Sequence, residues 1–144
     1  MKNKHPKGLL FLFFTEMWER FGYYLTIGIF VLYMIDPTAT GGLAFSDKYA
    51  DDIFGTYIAL TYLTPFLGGF LADRVLGYFK AIYLGGFLMG LGYIGLGFHN
   101  TTAFYISMAL IIIGNGFFKP SISTLVGNLY STDEYKANKD AGYN

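Results

Sequence analysis

Stretch 8–34 of this chain is long and apolar enough to cross a bilayer, yet it carries Glu16, Glu19 and Arg20. A span needs about 20 mainly apolar residues, and an ionised side chain near its centre costs roughly 2.5–3.5 kcal/mol on insertion scales. Any fold for this chain must therefore turn the three charges away from hydrocarbon and give them partners. A soluble fold would remove that demand, but the composition argues against one. Of 144 residues only 14% are charged, while 53% are hydrophobic and 20% aromatic; soluble domains average about 25% charged. The net charge of zero gives no reason to expect nucleic acid. With no cysteine, disulfides, thiolate metal sites and a thiol nucleophile are excluded. The basic tail of Lys2, Lys4 and Lys7 before an apolar stretch has the outline of a secretory signal, but the stretch is too long and too charged and lacks a cleavage site.

Four apolar segments are expected to span the membrane, at about 8–34, 53–72, 79–98 and 104–129. Turn formers and most charges fall between them. Outside the spans, Lys2, Lys4, Lys7, Arg74, Lys80, Lys136 and Lys139 fall on one side and only Lys48 on the other. That bias places the N-terminus in the cytoplasm and the first connection outside. The third span is rich in glycine, and the pair Gly86/Gly90 has the small-xxx-small spacing that lets helices approach closely. Pro65 and Pro120 each remove a helical donor inside a span, a break tolerated where the backbone packs on protein or lines a cavity. Beside Lys119, Pro120 is expected to serve a functional bend.

At helical spacing Glu16, Glu19, Arg20 and Tyr23 share a face. Arg20 can pair with Glu16 one turn away, which leaves one carboxylate for Lys119 on the fourth span. At 1.5 Å per residue, the first three charges lie about 12, 16 and 18 Å from the cytoplasmic end and Lys119 about 15 Å. Four charges at one level, summing to zero, make a proton-exchanging site more plausible than a static network, because intramembrane ionisable groups tend to mark ion or proton pathways. Tyr23, Tyr24 and Tyr62 lie deep rather than at the interfaces where tyrosine is usually enriched. Their phenols need polar partners, which a polar substrate could supply. Asn115, one turn before Lys119, is a further candidate for substrate contact. The two histidines, His5 and His99, lie outside the spans, so no catalytic or metal-ligating set converges in the membrane.

The run Glu16-x-x-Glu19-Arg20-Phe21-x-Tyr23-Tyr24 resembles the first-helix signature of proton-dependent oligopeptide transporters, a branch of the major facilitator superfamily. Gly69-Phe70-Leu71-Ala72-Asp73-Arg74-Val75-Leu76-Gly77, followed by Lys80, is similar to the superfamily motif between helices two and three. Gly114-Asn115-Gly116-Phe117-Phe118-Lys119-Pro120 is similar to the family's fourth helix. The resemblance implies proton coupling at Glu16, Glu19, Arg20 and Lys119, and peptide binding at Arg20, Tyr23, Tyr24, Tyr62 and Lys119. It implies closure of the cytoplasmic side through Asp73 and Arg74. Two positions depart from the pattern. Ile27 stands where members usually carry an arginine that pairs with the C-terminal bundle, and Gly55 where animal members carry a coupling histidine, which suggests a bacterial type.

The expected fold is all-α: an integral membrane bundle comprising the first four helices of a major facilitator N-terminal bundle, over 1–144. The resemblance implies twelve or more helices, so the chain is expected to be a fragment whose C-terminal bundle is missing. The expected function of the parent is symport of di- and tripeptides with protons, with no cofactor beyond the coupling ion, in a bacterial inner membrane. Transport of nitrate or another small anion, or a four-span structural or adaptor role, are the alternatives; an enzyme is not expected.

Overall fold

In the computed structural model, which describes residues 5–131, four long helices follow one another. They are α1 (Gly8–Ile35), α2 (Asp47–Leu71), α3 (Tyr78–Gly95) and α4 (Thr101–Leu129). Among the described residues there is no strand. Pro37, which cannot continue a helix, follows the end of α1, and a 3₁₀ turn at Thr38–Thr40 opens the first connection. α2 begins at Asp47, before the apolar run near Ile53, because Ser46 breaks into extended backbone there. At the other end α2 passes without interruption into a π-helical turn, Ala72–Leu76, and Gly77 at φ 77° reverses the chain into α3. Asn100 caps α4 by accepting the Thr102 backbone N–H at 2.7 Å. Lys2, Lys4, Lys136 and Lys139 lie outside the described residues.

α4 is the centre of the bundle, and glycine is what lets its neighbours approach. A Cβ added at Gly85 on α3 would lie 2.6 Å from the Gly114 carbonyl oxygen, and one at Gly114 equally close to that of Gly85. Further along, Gly92 packs on Ile111 and on the Ser107 carbonyl. On the opposite flank, Gly68 of α2 meets the backbone carbonyl of Gly116. That carbonyl is the one Pro120 deprives of its helical donor, so the break in α4 is packed on protein. Side-chain space at Gly86 reaches Phe118 only at ordinary contact distance, and at Gly90 it is open. The Gly86/Gly90 pair is therefore not the packing seam; Gly85 and Gly92, two turns apart, are.

The core is divided by depth. One apolar cluster gathers Phe30, Met34, Tyr57, Phe104, Met108 and Ile111. The other holds Met89, Phe118, Ile122, Val126 and Tyr130. Along α4 the two are separated by Asn115, which is buried and polar. Outward, large apolar side chains are bare on every helix; on α1 they include Phe11, Trp18 and Phe21. Contiguous apolar surface on this scale is foreign to a soluble monomer and suits lipid or further helices. By length and composition alone, Asp47–Leu76 and Thr101–Leu129 can cross a membrane; α1 has the length but carries the three charges. The helices alternate in direction, so Lys7, Arg74 and Lys80 share one end. There Gly8 packs on Leu129, and His5 Nδ1 lies 2.6 Å from the Tyr130 hydroxyl.

Candidate functional site

The middle of α1 carries its charges in two environments. Glu19 faces inward and is 7% exposed. Glu16 and Arg20 lie on the more open side, with half and about a third of their side chains exposed, 50% and 31%. Arg20 bridges both acids: its Nε is 3.2 Å from Glu19 Oε2 and its Nη2 3.7 Å from Glu16 Oε1. Across the helix interface, Asn115 Nδ2 donates to Glu19 Oε1 at 3.0 Å. One buried carboxylate thus takes an ion pair from its own helix and a charge-assisted hydrogen bond from an amide on α4. Charge-assisted bonds are roughly twice as strong as neutral ones.

This pairing differs from the expectation that Arg20 would take Glu16 and leave a carboxylate for Lys119. Arg20 reaches both glutamates because one lies next to it and the other a turn away. Lys119 lies at the same depth, and its charge acts on Glu19. Among the described residues, however, no carboxylate comes within ion-pair distance of it. Its ammonium instead stands 5.1 Å from the centroid of the Tyr62 ring, a cation–π contact worth about 0.5–1 kcal/mol when exposed.

The tyrosines divide in the same way. Tyr23 is buried against the outer core, in edge contact with Tyr24 at 5.5 Å between centroids. Tyr24 and Tyr62 are bare, at 65% and 66% exposure. Arg20, Lys119, Tyr24 and Tyr62 therefore present donors and ring faces outward from the buried carboxylate. At the basic end, Asp73 and Arg74 occupy the π-helical turn, with Arg74 Cζ 4.8 Å above the Phe70 ring and Tyr78 against Asp73.

Sequence reasoning passed over the groups behind Glu19. Tyr93 of α3 lies within electrostatic reach of Glu19 and Tyr23 and meets Thr26. Tyr57 of α2 lies within reach of Tyr93 and Glu19. A depth estimate for Tyr93, of the kind made for Lys119, would have placed it about 21 Å from the cytoplasmic end, level with Gly22 and one turn beyond Glu19. Among the described residues, no group of three or more histidine, cysteine, aspartate or glutamate side chains could hold a metal.

Membrane-length helices packed through glycine, with acid and base groups held at mid-depth beside an open face, define a helical membrane bundle with a charged interior. Comparison with known proteins agrees. The family model "PTR2: POT family" matches residues 79–143. The chain is 43% identical over 140 residues to an uncharacterised transporter of Bacillus subtilis, and 42% identical over 142 residues to a di-/tripeptide transporter of Lactococcus lactis. Each match covers 96% of this chain and 28% of the relative, so the chain spans little more than a quarter of their length. Among solved structures, a peptide transporter POT in complex with sulfate superposes with a TM-score of 0.91 at 44% identity, over 96% of this chain and 28% of that one. A POT family transporter in complex with 5-aminolevulinic acid gives 0.89 at 39% identity, with the same coverage. Over residues 79–143 the chain is thus similar to the POT family, and its four helices superpose on part of those transporters' helical bundles.

Proposed function

We propose that the protein carrying these helices couples the uptake of di- and tripeptides to the entry of protons. The observation that carries this reading is the partner set of Glu19, a buried carboxylate held by a cation on its own helix and an amide on α4. Neutralising Glu19 removes the charge that draws both partners in, and so weakens the α1–α4 junction at mid-depth. A proton thereby changes how two helices hold each other, which is what a coupling site requires. Lys119 and Arg20 are the cations available to a peptide carboxylate, with Tyr23, Tyr24, Tyr62 and Asn115 around them. Glu16, half exposed beside Arg20, is the second acid of the coupling set. Asp73 and Arg74 serve closure of the cytoplasmic side.

The relatives support the substrate class. Two are named di-/tripeptide transporters, and a solved neighbour holds alafosfalin. The role is transport rather than catalysis, in the cytoplasmic membrane of a bacterium, with the basic end inside. Protons are the coupling ion and no cofactor is required. A second bundle facing this one completes the peptide site.

The test is dialanine uptake into proteoliposomes under an inward proton gradient. Glu19→Gln and Lys119→Ala should each lower gradient-driven uptake at least tenfold. Undiminished uptake in both variants rejects the mechanism. Competition by nitrate rather than dialanine would reassign the substrate to small anions.

A further inference from the structure

Behind Glu19 lies a set of buried and partly buried hydroxyl groups that the proposed mechanism leaves unused. Tyr93, partly buried, reaches α1 from α3. A Cβ added at Gly22 would lie 3.2 Å from Tyr93 Cζ and 3.3 Å from its hydroxyl oxygen. So close an approach is open only because position 22 has no side chain. Gly22 stands one turn along α1 from Glu19, at a place the family signature leaves unassigned. The phenol that fills the gap also meets Thr26, whose own hydroxyl donates to the Gly22 carbonyl at 2.8 Å. Tyr93 is packed against both halves of the apolar core, at the level where Asn115 separates them.

The polar layer is not closed on itself. Asn115 Oδ1 is buried, at 3% exposure, without a protein hydrogen-bond partner, while the buried Tyr57 and Thr61 hydroxyls lie against one another. Unpaired groups in a low-dielectric interior are the ones most sensitive to a nearby change of charge. A phenol seated on Gly22 governs how the turn of α1 carrying Glu19 sits against that layer.

We propose that Tyr93 is a positioning residue for Glu19: through its seat on Gly22 and its contact with Thr26, it sets the hydrogen bonding and proton exchange of that carboxyl group. This rests on the reading of Glu19 as the coupling acid, but it can be tested without transport. The measurement is an infrared pH titration of the purified protein in lipid nanodiscs, with the Glu19 carboxyl band assigned by its loss in Glu19→Gln. Tyr93→Phe keeps the ring and the packing and removes only the hydroxyl. It should change the frequency of that band and move its titration midpoint by about half a pH unit or more, equivalent to roughly 0.7 kcal/mol. Gly22→Ala, which displaces the phenol by a few tenths of an ångström, should move the band as well. An unchanged band and midpoint in Tyr93→Phe, with the protein folded to the same thermal midpoint, overturns the proposal. Wild-type protein that exchanges no dipeptide rejects the transport reading and leaves the band comparison standing. Where transport holds, Tyr93→Phe should keep dialanine counterflow within about twofold and shift the pH profile of gradient-driven uptake. A profile that does not move also counts against the proposal.

Discussion

α4 is gripped on one side and merely met on the other. Against α3 it packs backbone to backbone, through Gly85, Gly92 and Gly114, with no polar side chain between the two glycine carbonyls. Against α1 the central contact is a hydrogen bond between Asn115 and a carboxylate. Close packing in lipid works by dispersion and tolerates no added atoms, whereas a hydrogen bond to an acid depends on whether that acid is charged. The first junction fixes the frame, and the second is the one that, on the function proposed above, responds to a proton.

The strongest way to break this contrast is to crowd the fixed seam. Gly114→Val places a side chain where the Gly85 carbonyl and Met89 already stand within 3 Å; overpacking costs roughly 1–3 kcal/mol or more. Most of the monodisperse protein should be lost in fluorescence-detected size exclusion. Next comes the responsive junction. Asn115→Leu removes a bond to a charged group, worth about 1.5–3 kcal/mol. Its thermal midpoint should fall by several degrees at neutral pH and by less in acid, where Glu19 is neutral; an equal fall at both pH values would show that the amide acts by shape alone. A smaller effect is expected at Tyr62. Tyr62→Leu frees Lys119 from a contact of about 0.5–1 kcal/mol, so dialanine affinity should change by about two- to fivefold, with less change for the C-terminally amidated peptide. The least effect belongs to Gly90→Ala. With nothing within 4 Å of the added carbon, thermal stability should stay level or rise, since alanine favours a helix over glycine by about 1 kcal/mol. The same change at Gly92 should lower it.

Those last two positions show what the sequence can and cannot reveal. Four apolar stretches and their alternation in direction are written in hydropathy and in the placing of Lys and Arg. The mid-depth meeting of Glu19 with α4 follows from counting residues along antiparallel helices. Rotation about the helix axis is another matter. Gly85 and Gly86 differ by about 100° around α3, and a helix that is apolar all round carries no pattern to say which faces protein. The same limit applies to Lys119. Its depth could be counted, but whether its long side chain turned to a carboxylate or to the Tyr62 ring depended on Arg20 and Asn115 having taken the acid first. Asp47 as the true start of α2 was obscured because its first turns are charged and lie beyond the apolar run.

The aromatic stack above the acid layer has a consequence for leakage. Phe30 lies face to face with Phe104 at 5.4 Å and beside Tyr57 at 5.0 Å, and with Met34 it is almost wholly enclosed. The rings of Phe30 and Phe104 and the Met34 side chain offer a proton no hydrogen-bonding group, so these three residues form an apolar block within the four described helices. A charge that reaches that depth finds no polar partner among those three side chains, and their dense packing insulates this part of the four helices.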